Sequence, residues 1–265
     1  MGMTTHRTEV VGIIPAAGMA TRIAPLPCSK ELYPIGFRDA VDGRGVRPKP
    51  VGQYLLEHFR RGGAERAYIV IRKGKWDIPS YFGDGSDLDL AIAYLIMNLP
   101  HGVPYTVDQA HAFVRDATVI FGFPDILIEP EDAYPRVLEH LRATQAAVVL
   151  GLFPTDQPHL GDPIEFDDQG RIRYIYVKPA HSDLRFTWVI AAWAPSFTEF
   201  LHSYVVQREA SAPIPRTELH MSEVIVAGLR AGLRVEGLHL PGARFLDIGV
   251  PENLVQALRQ QLELP

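Results

Sequence analysis

An apolar run, VVGIIP (10–15), precedes an amphipathic stretch, VGQYLLEHFRRGG (51–63), and a second apolar run, AYIVIR (67–72). Short β-branched runs suit buried strands, and the apolar residues of 51–63 recur at helical spacing up to a Gly62-Gly63 stop. Two strands joined through a helix pair in parallel, which confines the chain to an α/β fold. IAYLI (92–96), ATVIFGF (117–123), AAVVLGLF (146–153) and FTWVIAAW (186–193) add strands, and helices are expected over 134–144, 196–207 and 222–231. IEFDDQGRIRYIYVKP (164–179) reads as a hairpin turning at Asp168-Gln169-Gly170. LRVEGLHL (233–240) and ARFLDIG (243–249) are expected to close the sheet, with Pro251 opening a last helix. DQAHAF (108–113) is expected to open a helix with Asp108 as its N-cap. No linker or repeat interrupts the pattern. The expectation is a tail at 1–8, disordered, and one domain over 9–265 with a mixed, mostly parallel sheet flanked by helices.

A net charge of −5 gives no global attraction to nucleic acid or anionic lipid, so any phosphate must be held locally. No run reaches the roughly 18 apolar residues of a membrane span. MGMTTHRT lacks the apolar centre of a signal peptide. A single cysteine, Cys28, excludes an internal disulfide. These features lead to the expectation of a cytoplasmic protein that engages neither nucleic acid nor membrane. There is no HExxH and no GxSxG among its residues.

The segment GIIPAAGMATRIAPLPCSKELYPIG (12–36) follows the first strand with small residues, then Thr21-Arg22, then Lys30. Ligands of open α/β sheets gather at the C-terminal ends of strands. A small-residue turn there lets backbone N–H groups approach phosphate oxygens, and two fixed cations add charge. A tight turn with two solvated cations accounts for the composition equally well.

The wording of this segment resembles the signature of the sugar-1-phosphate nucleotidyltransferases, AAGxGTRxxPxTxxxPKxxLP. The similarity continues through YFGDGSDLDLAIAY (81–94), LPHG (99–102), FGFPDILIEPEDAY (121–134), GRIRYIYVKP (170–179) and FLDIGVPENLVQAL (245–258), in the family's order. The resemblance implies a glycosyltransferase-A-like nucleotide-binding fold and an Mg²⁺-dependent reaction. A sugar 1-phosphate attacks the α-phosphorus of a nucleoside triphosphate, and pyrophosphate leaves. It further implies that Ala16, Ala17, Gly18, Met19, Ala20 and Thr21 cradle the nucleotide, with Arg22 and Lys30 on its triphosphate. Lys178 falls at the lysine that binds the acceptor phosphate, and Asp125 and Asp247 at the Mg²⁺ ligands. Two carboxylates suit that ion, which typically takes one or two plus substrate phosphates. Asp125 is the only carboxylate between Asp116 and Glu129, although Phe123-Pro124 separate it from the glycine it follows directly in many relatives. Asp247 lies between Leu246 and Ile248, where an unpaired charge is costly.

The departures from the pattern fall on specificity positions. Ala20 replaces a glycine. Met97, or Asn98, stands for a base-reading glutamine near the turn at Gly102, and Tyr105 and Thr106 fall where small residues admit the base. Val177 replaces a glutamate that contacts a sugar hydroxyl, and Val189 a glycine facing the sugar. The resemblance favours UTP or dTTP as donor and a phosphorylated small molecule as acceptor, and it allows a homo-oligomer. Glu31 and Pro15 resemble the uridylyltransferase branch. Two alternatives remain open: a non-sugar acceptor, as in phosphocholine cytidylyltransferases, and a non-catalytic nucleotide-binding regulator.

Overall fold

The computed structural model describes residues 8–40, 43–98, 100–211 and 217–262. The expected tail at 1–8 lies, Thr8 apart, outside them. β1 (Val10–Ala16) runs through a loop to a hairpin, β2 (Pro34–Asp39) and β3 (Val46–Pro50), then α1 (Val51–Arg61) and β4 (Arg66–Arg72). The short α2 (Asp77–Phe82), β5 (Ala91–Met97), α3 (Val103–Asp108), α4 (His111–Val114), β6 (Thr118–Gly122) and β7 (Ile126–Glu129) follow. Then come α5 (Ala133–Thr144), β8 (Val148–Pro154), the hairpin β9 (Ile164–Phe166) and β10 (Ile172–Ile175), β11 (Phe186–Trp193) and α6 (Pro195–Ser211). α7 (Met221–Arg230), β12 (Val235–His239), β13 (Arg244–Asp247) and α8 (Pro251–Leu262) complete the order.

Seven strands form the central sheet in the order β12-β8-β11-β6-β1-β4-β5. Only β11 runs antiparallel to its neighbours, so the sheet is mixed and mostly parallel as expected. The strand period of two sends alternate residues to opposite faces. Val11, Ile13, Val119 and Phe121 pack with α3, α6 and α7 on one face. Ile14, Ile69, Ile71 and Ile120 pack with α1 and α5 on the other. Gly12 is required for this contact: a Cβ there would lie 2.2 Å from the Phe59 ring of α1. Among the described residues no helix is long and apolar enough to cross a membrane.

Two expectations are corrected, and one hairpin was not foreseen. β12 joins the sheet edge beside β8, but β13 does not close the sheet; it pairs with β7 in a separate two-stranded ribbon. The chain leaves the central sheet after β6 at Pro124, which has no N–H to donate, and β13 pairs where that exit opens a new edge. Asp108 caps no helix N-terminus. It is the last residue of α3, and its carboxylate meets His202 Nδ1 of α6 at 3.0 Å. The β2–β3 hairpin has no counterpart in the apolar pattern, because Pro34, Pro48 and Pro50 interrupt it.

Candidate active site

β1 ends at Ala16 and opens directly into a loop rather than a helix. Ala17 is buried, Gly18 is half-buried, and Met19, Thr21 and Arg22 are exposed. Ala20 adopts φ +54°, and Ile23 N–H donates to its carbonyl at 3.2 Å to close a turn. The glycine-to-alanine change in the signature thus falls on a left-handed residue, where a Cβ costs about 1–2 kcal/mol. Ala20→Gly relieves that strain but frees the unfolded chain, which offsets about 0.5–1 kcal/mol. Urea unfolding of Ala20→Gly should therefore show a net gain of up to about 1 kcal/mol, and a clear loss would show the turn needs the methyl group.

The register of β13 on β7 sets Asp247 opposite Ile126, next to Asp125, and Ile248 N–H donates to the Asp125 carbonyl at 3.0 Å. Two carboxylates far apart in sequence therefore meet at the mouth of the β1 loop. Lys30 Nζ lies 2.6 Å from Asp125 Oδ2, with both side chains largely buried. Arg22 Nη2 lies 3.4 Å from Asp247 Oδ2 and is more open to solvent. Gly249 N–H donates to Asp247 Oδ1 at 2.8 Å, and Asn253 Nδ2 donates to the Asp247 carbonyl at 3.0 Å. A Cβ on Gly249 would stand 2.9 Å from Arg22 Nη2, 2.9 Å from Asp247 Oδ1 and 3.0 Å from Asp125 Oδ2. All three side chains converge on the space that glycine leaves. Asp247 has its pKa raised, first by burial and then by the neighbouring Asp125 charge, against the opposing pull of Arg22. Burial disfavours the Lys30 ammonium, but the Asp125 carboxylate together with the Glu31 and Asp247 charges outweighs it, and the Lys30 pKa rises.

Among the described residues no three His, Cys, Asp or Glu side chains group as a metal cluster. The pair Asp125 and Asp247 still fits Mg²⁺, whose remaining positions go to substrate phosphates and water.

One buried ion pair of this region escapes the sequence pattern. Lys75, after β4, sends its Nζ to the Ala16 carbonyl at 2.8 Å and to both Glu31 oxygens at 2.7 and 2.8 Å. Lys75 and Glu31 are both buried. The pair ties the end of β1 to the residue beside Lys30. Burial lowers the Lys75 pKa and raises that of Glu31, each opposed by the partner's charge. Ser29 is fixed in turn, its N–H and Oγ donating to Asp77 at 2.7 and 2.8 Å. The cue available in sequence was position: Lys75 follows the parallel strand next to β1, where open α/β sheets gather their ligands. A cleft of about 330 Å³ opens between these loops, lined by Gly18, Met19, Ser29, Lys30, Arg72 and Lys75 among others. Its size falls in the range of small-molecule sites, and its cations suit an anion.

The other candidate residues fall on other elements. Met97 ends β5, its carbonyl accepting the Lys73 N–H at 3.0 Å. Gly102 has φ +124°, and a Cβ there would strike the Leu219 carbonyl oxygen at 2.1 Å. Its lack of a side chain thus admits the Leu219 backbone. Tyr105 and Thr106 are buried in α3. Val177 is half-buried, and Lys178 is exposed at φ +40°. Val189 sits in the register shift of β11 against β8 and belongs to the apolar cluster with Ile190 and Phe153, 4% exposed.

A family model described as Nucleotidyl transferase matches residues 11–263. Similar curated proteins include the low-salt glycan biosynthesis nucleotidyltransferase of Haloferax volcanii, 22% identical over 95% of this chain and 66% of the relative. The glucose-1-phosphate thymidylyltransferase of an Actinoplanes species is 26% identical over 93% of this chain and 76% of its own length. Among solved structures, a UDP-glucose pyrophosphorylase complexed with UDP-glucose superposes with a TM-score of 0.76 at 17% identity, covering 96% of this chain and 99% of the other. The UDP-glucose pyrophosphorylase of Acinetobacter baumanii gives a TM-score of 0.75 at 16% identity, covering 97% and 95%. These two structural likenesses are likenesses of fold. The chain spans about two thirds of the Haloferax relative's length and about three quarters of the Actinoplanes one's.

Proposed function

The chain belongs to the nucleotidyl transferase family, and we propose that it joins a sugar 1-phosphate to UTP or dTTP, giving a nucleoside diphosphate sugar and pyrophosphate. The supporting observation is the convergence of Arg22, Asp125 and Asp247 on the space beside Gly249, with Lys30 paired to Asp125 and Arg22 to Asp247. Similar proteins whose names describe glucose-1-phosphate thymidylyl- and uridylyltransferases support the choice of substrates.

In the reaction, a phosphate oxygen of the acceptor forms a bond to the α-phosphorus. The bond from that phosphorus to the bridging oxygen breaks, and pyrophosphate leaves with the electron pair. No side chain need form a covalent intermediate, so the protein positions two anions and neutralises their charge. The β1 loop from Ala16 to Thr21 offers backbone N–H groups to the triphosphate, with Arg22 and Lys30 as its counter-charges. Asp125 and Asp247 would hold Mg²⁺, which when bound supplies charge neutralisation to the triphosphate. Lys178 would take the acceptor phosphate. The cations now paired with the carboxylates are then free to turn toward the phosphates.

Titrating each substrate separately by calorimetry tests this division of labour. Lys178→Ala should chiefly weaken the sugar 1-phosphate, and Arg22→Ala the nucleoside triphosphate. Equal losses for both substrates in both variants would contradict it.

Val177 bears on the acceptor. Its side chain offers no hydrogen bond, and a buried sugar hydroxyl left unpaired against it loses about 1–3 kcal/mol. This favours an acceptor with an apolar face or no hydroxyl at that position, and keeps a non-sugar phosphate as the second reading. Val177→Glu should raise kcat/KM for glucose 1-phosphate relative to the native acceptor. Wild-type kcat/KM for glucose 1-phosphate at about 10⁴ M⁻¹s⁻¹ or above, ordinary for an enzyme on its own substrate, would refute it.

A further inference from the structure

Lys178 holds a left-handed backbone, φ +40°, in an exposed loop beyond β10. That region disfavours residues with a Cβ, so the surroundings must impose it. Its backbone N–H donates to Asp162 Oδ1 at 3.1 Å. The other carboxylate oxygen, Oδ2, accepts from Ser222 Oγ of α7 at 2.6 Å. Ser222 Oγ in turn accepts from the Trp188 indole Nε1 of β11 at 2.9 Å. The Asp162 carbonyl takes the Thr187 hydroxyl at 3.0 Å. Ser222, Thr187 and Trp188 are all buried, so the relay is anchored in the core. The Trp188 ring in turn lies 6.0 Å from that of Phe123.

We propose that Asp162 is a positioning residue for the acceptor half of the site, holding Lys178 in its left-handed conformation through a relay rooted at Trp188 and Ser222. The proposal rests on the reading that Lys178 binds the acceptor phosphate. A carboxylate suits the place because its two oxygens accept hydrogen bonds, and donors reach it from two sides. A hydrophobic residue would leave both the Lys178 amide and the Ser222 hydroxyl without this partner.

The test is steady-state kinetics on the full chain with UTP or dTTP and glucose 1-phosphate, following pyrophosphate release. Asp162→Ala should raise KM for the sugar phosphate by about tenfold, the loss of one good hydrogen bond, and leave KM for the triphosphate within about twofold. Asp162→Asn keeps an oxygen for the Lys178 N–H and should recover most of the loss, with a thermal unfolding midpoint near wild type. In a Lys178→Ala background, Asp162→Ala should cost no further acceptor kcat/KM, since it acts through Lys178. Equal rises in both KM values would overturn the proposal, as would full additivity of the two substitutions. An acceptor KM unmoved by Lys178→Ala would remove the acceptor-site reading and this proposal with it. An effect of Lys178→Ala with none from either Asp162 variant overturns this proposal alone.

Discussion

Asp247→Asn should lower turnover by about 10²-fold or more, the loss of several kcal/mol of transition-state stabilisation, without reducing stability. Burial and the neighbouring Asp125 already hold the Asp247 pKa above its usual value, so its charge costs the folded protein, and asparagine removes that cost. Asp125→Asn should lose as much activity but also unfold more readily, because Lys30 would keep its buried charge without the carboxylate it pairs with directly. Pyrophosphate release at saturating Mg²⁺ and thermal unfolding, measured on both variants, separate the two effects. Near-normal turnover in Asp247→Asn would take the carboxylate pair out of the chemistry.

Glu31→Ala should destabilise the fold by about 3–5 kcal/mol, since it strands the Lys75 ammonium in a buried site. The Lys75–Glu31 pair is almost fully enclosed, with side-chain exposures of 8% and 2%. Replacing both partners, as in Glu31→Leu with Lys75→Met, should recover much of the stability, because well-packed apolar groups often substitute for a buried ion pair at little cost. Activity should not return with it, since the Ala16 carbonyl loses the Lys75 donor that fixes the end of β1. Urea unfolding of the single and double variants supplies the numbers. A loss below about 1 kcal/mol in Glu31→Ala would show that the ion pair is water-accessible rather than buried.

The strands and helices of the central sheet were legible because their periodicity is local: β1, α1 and β4 each declare themselves within a dozen residues. Pro251 opens α8 and Gly63, at φ +84°, follows the end of α1, as turn chemistry requires. β13 was misplaced because FLDI reads as a strand whichever strand it joins, and pairing is a tertiary choice. The juxtaposition of Asp125 with Asp247 depends on that same pairing, so the resemblance to a family pointed to it where periodicity alone did not. The pairing of Glu31 with Lys75 stayed hidden for another reason: a charged residue in a polar segment looks solvated until its partner, 44 residues away, is seen. Gly102 reads as a turn glycine in sequence, and only the tertiary structure shows the Leu219 backbone in the space a side chain would take.

The most direct measurement is pyrophosphate release by the wild-type protein with Mg²⁺ and either UTP or dTTP, with and without glucose 1-phosphate or another sugar 1-phosphate. The expected result is pyrophosphate formed only when triphosphate and acceptor are both present, one for each nucleoside diphosphate sugar made, and suppressed in Asp247→Asn. Triphosphate consumed without acceptor, or no pyrophosphate with any sugar 1-phosphate, would contradict the assignment of this site to sugar-nucleotide synthesis.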